Sequence, residues 1–323
     1  MEVDTFISLL KMKFSEMPFF VRIFIRNNKI IIWNDVDIEI KINFEKFKNN
    51  INTVEEIIQF VQVIHHKLVQ KIEAKYADIT EKMITVIVPN YNNEMTIVKT
   101  INSILDSTYP HLEVIIVDDC STDDSVKLIN ENFGENPKVR LFQNKENKGT
   151  YFGRNKGLLF SKGYYITFVD GDDYIDSNKF EYEINVLEKN DNYWGFGTGY
   201  ERIYYDETLD KVVKHEKLVG WIAKYVFRRK LYNYIGFYAN SRYSADSEFM
   251  QRSRCWGYEL GRNQDKVFYH AYTTNGKNLT QTITWPTRAK FISYSRELMT
   301  KGKYIPMALL DELDDFLELL NVL

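Results

Sequence analysis

The chain has 323 residues, of which 44% are hydrophobic and 15% aromatic, so it can bury a substantial core. Its 42 basic and 45 acidic residues nearly cancel, which excludes a global charge that would draw the protein to nucleic acid or to an anionic membrane. The two cysteines, Cys120 and Cys255, cannot build a disulfide framework and favour a reducing compartment.

The first twenty residues do not resemble a secretory signal, because acidic residues stand where basic ones are needed. No apolar run reaches the ~20 residues that a membrane-spanning helix requires. We therefore expect a cytoplasmic protein, from a bacterial or viral source, without a transmembrane segment. Peripheral contact with a membrane stays open.

Residues 1–80 are predicted to form a small α+β appendage. Residues 21–44 alternate between apolar and polar positions, like short strands joined at turn-prone pairs. Residues 53–75 have apolar positions at helical spacing. His65 and His66 lie on this helix, but adjacent helical positions point in different directions, so the pair is not expected to bind a metal.

From residue 83 the pattern changes to alternating strands and helices. Strands rich in β-branched residues, which suit a parallel sheet covered on both faces, are predicted at 83–91, 112–119, 138–144 and 165–169. The helices predicted between them span 95–107, 122–133 and 153–163. This order is typical of a Rossmann-like α/β fold, a mostly parallel sheet flanked by helices with ligands at the carboxyl ends of its strands.

Polar side chains gather where three of these strands end. The first strand ends in Pro-Asn-Tyr-Asn at 89–92, the second in Asp118 and Asp119, and the fourth in Asp-Gly-Asp-Asp at 170–173, which we call the acidic run. Because the carboxyl ends of parallel strands meet at one edge, these residues should share a nucleotide-sized cleft. The sequence has neither the dinucleotide-binding glycine pattern nor a Walker loop to hold phosphates there.

The acidic run needs a cation, because crowded carboxylates repel each other. Hard oxygen ligands suit Mg²⁺ or Mn²⁺, which would also neutralise the phosphates of a nucleotide. The sequence therefore predicts a metal site at Asp170, Asp172 and Asp173. The alternative is an ordinary acidic turn that caps a helix beginning near Asp176.

Four motifs, in this order, resemble the family 2 glycosyltransferases, which are inverting, nucleotide-sugar-dependent enzymes of the GT-A fold. They are TVIVPNYNN (85–93), TINSILDSTYPHLEVIIVDDCSTDDS (100–125), NKGTYFGRNKGL (147–158) and GYYITFVDGDDYI (163–175). The resemblance is strong over 83–190 and weaker over 220–280. It implies a nucleotide-sugar-binding half at 81–190, an acceptor-binding half at 191–285 and a helical C-terminal segment at 286–323.

The resemblance also implies roles for individual residues on the donor side. Asp119 would accept a hydrogen bond from the nucleotide base, which favours uracil, and hence a UDP-sugar, or another base with an N–H donor. Asp118 would position the site, and Arg154 would face the diphosphate or, alternatively, be a solvated helix residue. The implied donor-binding residues are Pro89, Tyr91, Asp118, Asp119, Arg154 and Asp172.

The metal ligands implied by the resemblance come from the acidic run, without a decision on which carboxylate binds directly. The family often supplies a further His from a flexible loop, and here Asn275 stands in that place. His270, five residues earlier, is therefore an additional candidate ligand or a structural residue. The loop at 273–281 suits a lid over the donor.

An inverting transfer needs a base to deprotonate the acceptor hydroxyl. The segment YSADSEFMQR (243–252) resembles the family's acidic pair at the start of a helix, with Ala245 where Glu is usual. Asp246 is the candidate base and Glu248 the second choice. Asp246 could also cap the helix.

The segment 221–238 interleaves basic and aromatic residues, among them Lys224, Arg228 and Arg229. Such a run suits either a nucleic-acid surface or a wall of the acceptor site, and the resemblance favours the wall. Residues 305–323 form a predicted acidic amphipathic helix that would pack on residues 1–80 or on a second subunit.

The predicted function is metal-dependent, inverting transfer of a hexose or pentose from a nucleotide sugar, preferably a UDP-sugar, to a hydroxyl acceptor in glycan or polysaccharide synthesis. One alternative is glycosylation of a hydroxymethylated DNA base, with nucleic acid as the partner. Another is a nucleotide-sugar-binding protein of the same fold without catalysis. A nucleotidyltransferase is disfavoured, because the first strand is not followed by a loop rich in glycine and basic residues.

Overall fold

The computed structural model describes residues 22–26, 29–34, 38–43, 82–206, 211–218, 224–239, 242–274, 292–293 and 296. The predicted helix at 53–75, Asn275 with most of the predicted lid, and the predicted helix at 305–323 lie outside the described residues. Near the N-terminus, strands β1 (Arg22–Arg26), β2 (Lys29–Asn34) and β3 (Ile38–Asn43) pair antiparallel in that order, as the alternating pattern predicts.

A second sheet of nine strands forms the core. Its strands are β4 (Ile84–Asn90), β5 (Leu112–Asp118), β6 (Val139–Gln143), β7 (Tyr165–Phe168), β8 (Tyr174–Ile175), β9 (Tyr193–Asp206), β10 (Lys211–Leu218), β11 (Val226–Arg228) and β12 (Glu259–Thr274). They lie in the order β6-β5-β4-β7-β11-β9-β12-β8, with β10 paired to β9. Strands β6, β5, β4 and β7 are parallel, as predicted. Beyond β7 the sheet is mixed, because β11 runs antiparallel to both of its neighbours.

Helices cover both faces of this sheet. They are α1 (Ile97–Leu105), α2 (Ser125–Phe133), α3 (Thr150–Phe160), α4 (Lys179–Glu188), α5 (Lys230–Ile235) and α6 (Ala245–Cys255). Alternate side chains of a strand point to opposite faces, so Val86 packs with α1, α2 and α4, whereas Ile87 packs with α3, α5 and α6. The result is a three-layer α/β arrangement, as the alternation of elements predicts.

Helix α3 lies very close to the sheet where Gly157 faces β4. A Cβ atom added to Gly157 would lie 2.4 Å from Cγ2 of Ile87. The absence of a side chain at this position allows the close approach, which brings the N-terminal end of α3 to the carboxyl edge of the sheet. In the described part of the chain, no helix is long and apolar enough to cross a membrane.

Candidate active site

A cavity of about 1140 Å³ opens at the carboxyl edge of the sheet. Strands β4, β5 and β7 deliver residues to it at neighbouring positions, because Asn90 pairs with Asp118 in the parallel ladder. Helices α3 and α6 and strand β12 complete the walls. Residues predicted for the donor and for the base therefore line one space, including Tyr91, Asp119, Arg154, Asp170, Asp172 and Asp246.

Tyr91 and Pro89 line the end of the cavity beside β4. The side chain of Tyr91 is 47% exposed, so its ring can stack on a flat ligand. Asp119 lies nearby and accepts hydrogen bonds from the N–H groups of Lys148 at 2.9 Å and Gly149 at 2.6 Å. Gly149 takes a φ of 94°, a left-handed conformation that favours glycine.

Asp119 thus holds the loop that leads into α3. Its third hydrogen bond comes from the side-chain amide of Asn144, at 2.9 Å. A carboxylate offers roughly four acceptor positions, so one remains for a ligand. The predicted contact with a nucleotide base stays a prediction.

Asp118 does not line the cavity, and it is buried. Its carboxylate accepts hydrogen bonds from the side-chain amide of Asn90 at 2.8 Å and from the backbone N–H of Ser121 at 3.0 Å. These bonds tie the end of β4 to the loop after β5. The position of Asp118 therefore fits a role in shaping the site.

Two side-chain cations, and not only carboxylates, occupy the region of the acidic run. Nζ of Lys224 lies 2.6 Å from Asp170 and 3.0 Å from Asp173. Nη2 of Arg154 donates to Asp170 at 2.7 Å. The hydroxyl of Tyr269 donates to Asp173 at 2.6 Å. The charge repulsion that the sequence predicts among these carboxylates is thus offset by residues from α3 and from the segment before β11.

The charges of the acidic run follow from these contacts. Burial raises the pKa of Asp170, but the neighbouring charges of Lys224 and Arg154 outweigh it and hold that pKa well below its usual value. Burial raises the pKa of Asp173 more than Lys224 lowers it. Burial and the charges of Asp173 and Asp170 raise the pKa of Asp172 well above its usual value. Asp172 accepts no side-chain hydrogen bond within the described ranges, so its carboxyl group is the one still open to a ligand.

The predicted metal centre does not match this arrangement. Within the described ranges, no group of three or more His, Cys, Asp and Glu side chains is placed to hold a metal ion. Two of the three carboxylates expected as ligands, Asp170 and Asp173, share the ammonium group of Lys224 instead. The described residues therefore do not form the Mn²⁺ or Mg²⁺ site that the sequence predicts.

His270 also differs from its predicted role as a ligand. Its ring nitrogens lie 2.6 Å from Glu201 and 2.9 Å from Asp176, and its ring stacks on Tyr174 with centroids 4.6 Å apart. Successive side chains of a strand point to opposite faces, so Tyr269 reaches the acidic run and His270 points away from it. The position of His270 is that of a structural residue.

Arg154 is buried, with 4% of its surface exposed, which rules out the solvated helix residue considered as an alternative. Burial opposes its charge, but Asp170 raises its pKa above the usual value, so it is a permanent cation. Its Nε and Nη1 atoms have no hydrogen-bond partner among the described residues. A permanent cation that lines a cavity suits an anionic ligand such as a diphosphate.

Asp246 lines the cavity from the first turn of α6. Its Oδ1 atom accepts hydrogen bonds from the hydroxyl of Tyr151 at 2.9 Å and from the backbone N–H of Ser247 at 2.8 Å. In the described part of the chain, no donor reaches Oδ2. The N-cap of this helix is Ser244, so Asp246 is not the capping residue that the sequence left as an alternative.

Glu248 cannot serve as the base in this arrangement. Its side chain is 0% exposed, and its Oε1 lies 2.8 Å from Nε of Arg252. Arg252 also donates to the backbone carbonyl groups of Phe237, at 2.6 Å, and of Ile235. Glu248 and Arg252 therefore fix α6 to the end of α5, and the second choice of base is wrong because the residue faces the core.

Arg228 and Arg229 do not form a nucleic-acid surface. Arg228 donates to the backbone carbonyl groups of Tyr193 at 2.9 Å and Leu187 at 2.6 Å. Arg229 is buried and donates to the hydroxyl of Ser161. Both guanidinium groups bind oxygen atoms within the fold. These contacts favour the structural role of this segment over a nucleic-acid surface.

The profile of glycosyl transferase family 2 matches residues 85–258, more than half of the chain. The chain belongs to glycosyl transferase family 2. This result confirms the predicted family and, with it, a glycosyltransferase enzyme class. The matched region contains strand β4 except for Ile84, all strands from β5 to β11, and both helices that carry Arg154 and Asp246.

Relatives of known sequence are similar over part of their length. A glycosyltransferase of Haemophilus influenzae is 39% identical over 108 residues, which cover 33% of this chain and 43% of that protein. The Escherichia coli protein WfgD, a UDP-Glc:alpha-D-GlcNAc-diphosphoundecaprenol beta-1,3-glucosyltransferase, is 33% identical over 136 residues, which cover 42% of this chain and 53% of WfgD. The chain thus spans about half the length of the curated relatives that it matches.

Among solved structures, Staphylococcus aureus TarS in complex with UDP-GlcNAc is similar in fold. The superposition has a TM-score of 0.52 at 19% identity and covers 68% of this chain and 70% of that chain. At this level of identity the likeness concerns the fold alone. It confirms the predicted GT-A architecture.

Two residues of the site escaped the sequence-based prediction. In the sequence, Lys224 is one residue of a basic and aromatic segment, and Tyr151 is one residue of a family motif. Each meets its partner across long stretches of sequence: Lys224 is 54 residues from Asp170, and Tyr151 is 95 residues from Asp246. The one available signal was electrostatic, since the acidic run required a cation from somewhere.

Proposed function

We propose that this protein transfers a sugar from a nucleoside diphosphate sugar to an acceptor hydroxyl, with inversion at the anomeric carbon, in glycan synthesis. The observation that carries the proposal is the shared cavity. The nucleoside-side residues Tyr91 and Asp119, the cation Arg154 and the carboxylate of Asp246 all line it. A donor bound along the strand ends would place its sugar between the diphosphate-facing cations and the base.

The preferred donor is a UDP-sugar. The remaining acceptor position of Asp119 suits the N–H of a uracil base, and the exposed ring of Tyr91 suits stacking on it. The name of WfgD states a UDP-Glc donor, and TarS was solved in complex with UDP-GlcNAc. These likenesses support UDP for this chain without deciding the sugar.

Asp246 is the proposed general base. As the acceptor oxygen attacks the anomeric carbon, its proton moves to Asp246, and the bond from that carbon to the diphosphate oxygen breaks. The electron pair of the broken bond leaves with the nucleoside diphosphate. Arg154 and Lys224 are the cations near this leaving group, and they would stabilise the negative charge that develops on it.

The sequence predicts Mn²⁺ or Mg²⁺ at the acidic run, where a divalent cation would neutralise the departing diphosphate. The side chains present do not fit a metal held by all three carboxylates, because Lys224 already bridges Asp170 and Asp173. We therefore derive no step through a metal.

The acceptor in this proposal is a glycan hydroxyl and not a DNA base. Arg228 and Arg229 bind backbone and side-chain oxygens within the fold, so the basic segment does not offer them to phosphates. The name of WfgD states a beta-1,3-glucosyl transfer to alpha-D-GlcNAc-diphosphoundecaprenol, which supports the same choice. A measurement of sugar transfer distinguishes this enzyme from a protein that binds nucleotide sugars without catalysis.

The test is a panel of UDP-, GDP-, TDP- and CMP-sugars, each measured for binding and for sugar transfer to glycan acceptors. We expect a UDP-sugar to bind. The variant Asp246→Asn should bind it equally well and transfer about 100- to 10,000-fold more slowly, since it lacks the base. Transfer by Asp246→Asn at the wild-type rate would remove Asp246 from the mechanism. Binding by the wild type without any turnover would mean a binding protein.

A further inference from the structure

We infer that Lys224 is a built-in cation that bridges Asp170 and Asp173 in place of a divalent metal, so that this protein binds its nucleoside diphosphate donor without one. The inference rests on the proposed function, because it concerns how the same cavity receives a diphosphate.

The contacts of Lys224 use its whole ammonium group. Nζ lies 2.6 Å from Oδ2 of Asp170 and 3.0 Å from Oδ2 of Asp173, and it also donates to the hydroxyl of Tyr269. An ammonium group has three donors, and these three acceptors account for all of them. The nitrogen thus occupies the bridging point between the two carboxylates, which is where a shared metal would have to sit.

Tyr269 reinforces this arrangement. Its hydroxyl donates to Asp173 at 2.6 Å and accepts from the backbone N–H of Asp170 at 3.2 Å. Nζ of Lys224 also lies 4.2 Å from the centroid of the Tyr269 ring, within the range of a cation–π contact. The aromatic ring and the hydroxyl of Tyr269 thus favour an organic cation at this point.

A buried pair fixes the backbone of Lys224. Nζ of Lys179 donates to the carbonyl oxygen of Lys224 at 3.2 Å and to Glu183 at 2.6 Å. Glu183 in turn accepts from the backbone N–H of Thr198 at 3.0 Å. The side chains of Lys179 and Glu183 are 1% and 0% exposed, so the support is part of the core. Lys224 is held in place and is not a surface lysine that happens to reach the acidic run.

Charge decides between the ammonium group and a metal. The acidic run contributes at most three negative charges, and Lys224 and Arg154 supply two positive ones at hydrogen-bond distance. A divalent ion bridging Asp170 and Asp173 would lie against the ammonium group, and like charges at contact repel strongly in a buried site. The point between Asp170 and Asp173 can therefore hold the ammonium group or a divalent ion, but not both.

The same cations point to the chemistry of the ligand. The guanidinium group of Arg154 lies 5.2 Å and 5.3 Å from the ring centroids of Tyr151 and Phe168, and it donates to Asp170. Lys224 and Arg154 both line the cavity. A diphosphate entering there would meet permanent organic cations on the side where the sequence predicts a metal.

The test uses UDP as the probe and the full chain. Binding is measured by calorimetry in EDTA, after metal analysis of the protein, and again in Mn²⁺. We expect the wild type to bind UDP with a similar Kd in both buffers. We expect Lys224→Met to lose affinity on the order of 100-fold in EDTA, because a positive charge beside the diphosphate is removed, Asp170 keeps only Arg154 as a cation among the described residues, and Asp173 keeps only the neutral hydroxyl of Tyr269 as a side-chain donor among them. Mn²⁺ should restore binding to this variant by occupying the vacated bridging point.

The conservative variant Lys224→Arg is the matched control, because it keeps the positive charge. It should bind UDP in EDTA far better than Lys224→Met does. If Lys224→Met does not fold, the comparison of wild type with Lys224→Arg and the wild-type measurement in EDTA still decide the matter.

Three outcomes would overturn the inference. Wild-type binding that requires Mn²⁺ would show that a metal, and not Lys224, holds the acidic run, and it would leave the proposed function intact. Equal binding by wild type and Lys224→Met in EDTA would remove Lys224 from the donor site. Absence of UDP binding in both buffers would overturn the proposed donor and the inference with it.

Discussion

At the scale of single residues, the chemistry of the cleft depends on how the base carboxylate is held. Oδ1 of Asp246 is fixed by the hydroxyl of Tyr151, which leaves Oδ2 to face an acceptor. Burial and the charge of Asp246 raise the pKa of Tyr151 well above its usual value, so the phenol stays a donor through the neutral range. Tyr151 is thus a positioning residue for the proposed base.

The variant Tyr151→Phe should slow sugar transfer by roughly tenfold or more, because a hydrogen bond to a charged group is lost. Binding of UDP should not change, since the hydroxyl of Tyr151 contacts the carboxylate of Asp246 and not the acidic run. Steady-state kinetics should therefore show a lower kcat at a similar KM for the donor. A general loss of structure would also raise KM for the donor, so the separation of kcat from KM identifies the positioning role.

The matched control for that variant is Tyr232→Phe. Tyr232 is also buried, and among the described residues its hydroxyl has one hydrogen-bond partner, the hydroxyl of Tyr238 at 3.5 Å. Removal of the Tyr232 hydroxyl should leave kcat nearly unchanged. Equal losses in the two variants would mean that Tyr151 acts through packing alone.

A second residue-scale prediction concerns Glu248. The change Glu248→Gln leaves Arg252 buried without its counter-charge, so we expect a loss of about 3–5 kcal/mol in the free energy of unfolding. Urea unfolding measures this loss, with Glu216→Gln as a control in which the partner Lys214 is exposed and little change is expected. A stable Glu248→Gln variant with impaired transfer would instead return Glu248 to the list of candidate bases.

At the scale of elements, the close packing of α3 on β4 brings Tyr151 and Arg154 to the cleft. Gly157 makes this possible, since a Cβ atom there would lie 2.4 Å from Cγ2 of Ile87. The variant Gly157→Ala should lower the free energy of unfolding by roughly 1–3 kcal/mol through overpacking. Donor binding should weaken as well, because the helix must move away from the sheet.

A double-mutant cycle separates that clash from a general effect on the helix. Ile87→Ala removes the opposing methyl group and is itself destabilising. If the clash is the cause, the double variant should be more stable than the sum of the single effects allows, by roughly 0.5–3 kcal/mol. Additive effects would place the cost of Gly157→Ala elsewhere.

The sequence predicts these elements well where hydrophobic periodicity is strong. Strands β4, β5, β6 and β7 were expected near their observed positions, because continuous β-branched runs suit a sheet covered on both faces. The pairing of β9 with β12 was not predictable. The two long strands are far apart in the chain and lie parallel, and only the tertiary structure brings them together.

The same limit applies to the site. Side chains that follow the parallel strands could be placed together, since topology alone brings Asp119 and Asp170 to one edge. Which charge neutralises the acidic run could not be decided, because Lys224 reaches it from another part of the sheet. A sequence pattern records the need for a cation but not whether an ion or a side chain supplies it.

At the scale of the whole molecule, the formal net charge is −3. Arg228 and Arg229, which could have contacted nucleic acid, instead donate hydrogen bonds to oxygen atoms within the fold. We therefore expect transfer to a glycan acceptor to depend weakly on salt. Binding to nucleic acid through phosphates would instead weaken by several orders of magnitude between low and physiological salt.

The measurement that checks this expectation compares two acceptors with one donor. Transfer to an oligosaccharide and to a duplex containing hydroxymethylated bases is followed at low and physiological salt. We expect transfer to the oligosaccharide at similar rates in both conditions and none to the duplex. Salt-sensitive transfer to the duplex would contradict the proposed acceptor while leaving the donor site as described. The Asp246→Asn variant serves as the control, because transfer that it carries out at the wild-type rate does not depend on the proposed base in this cavity.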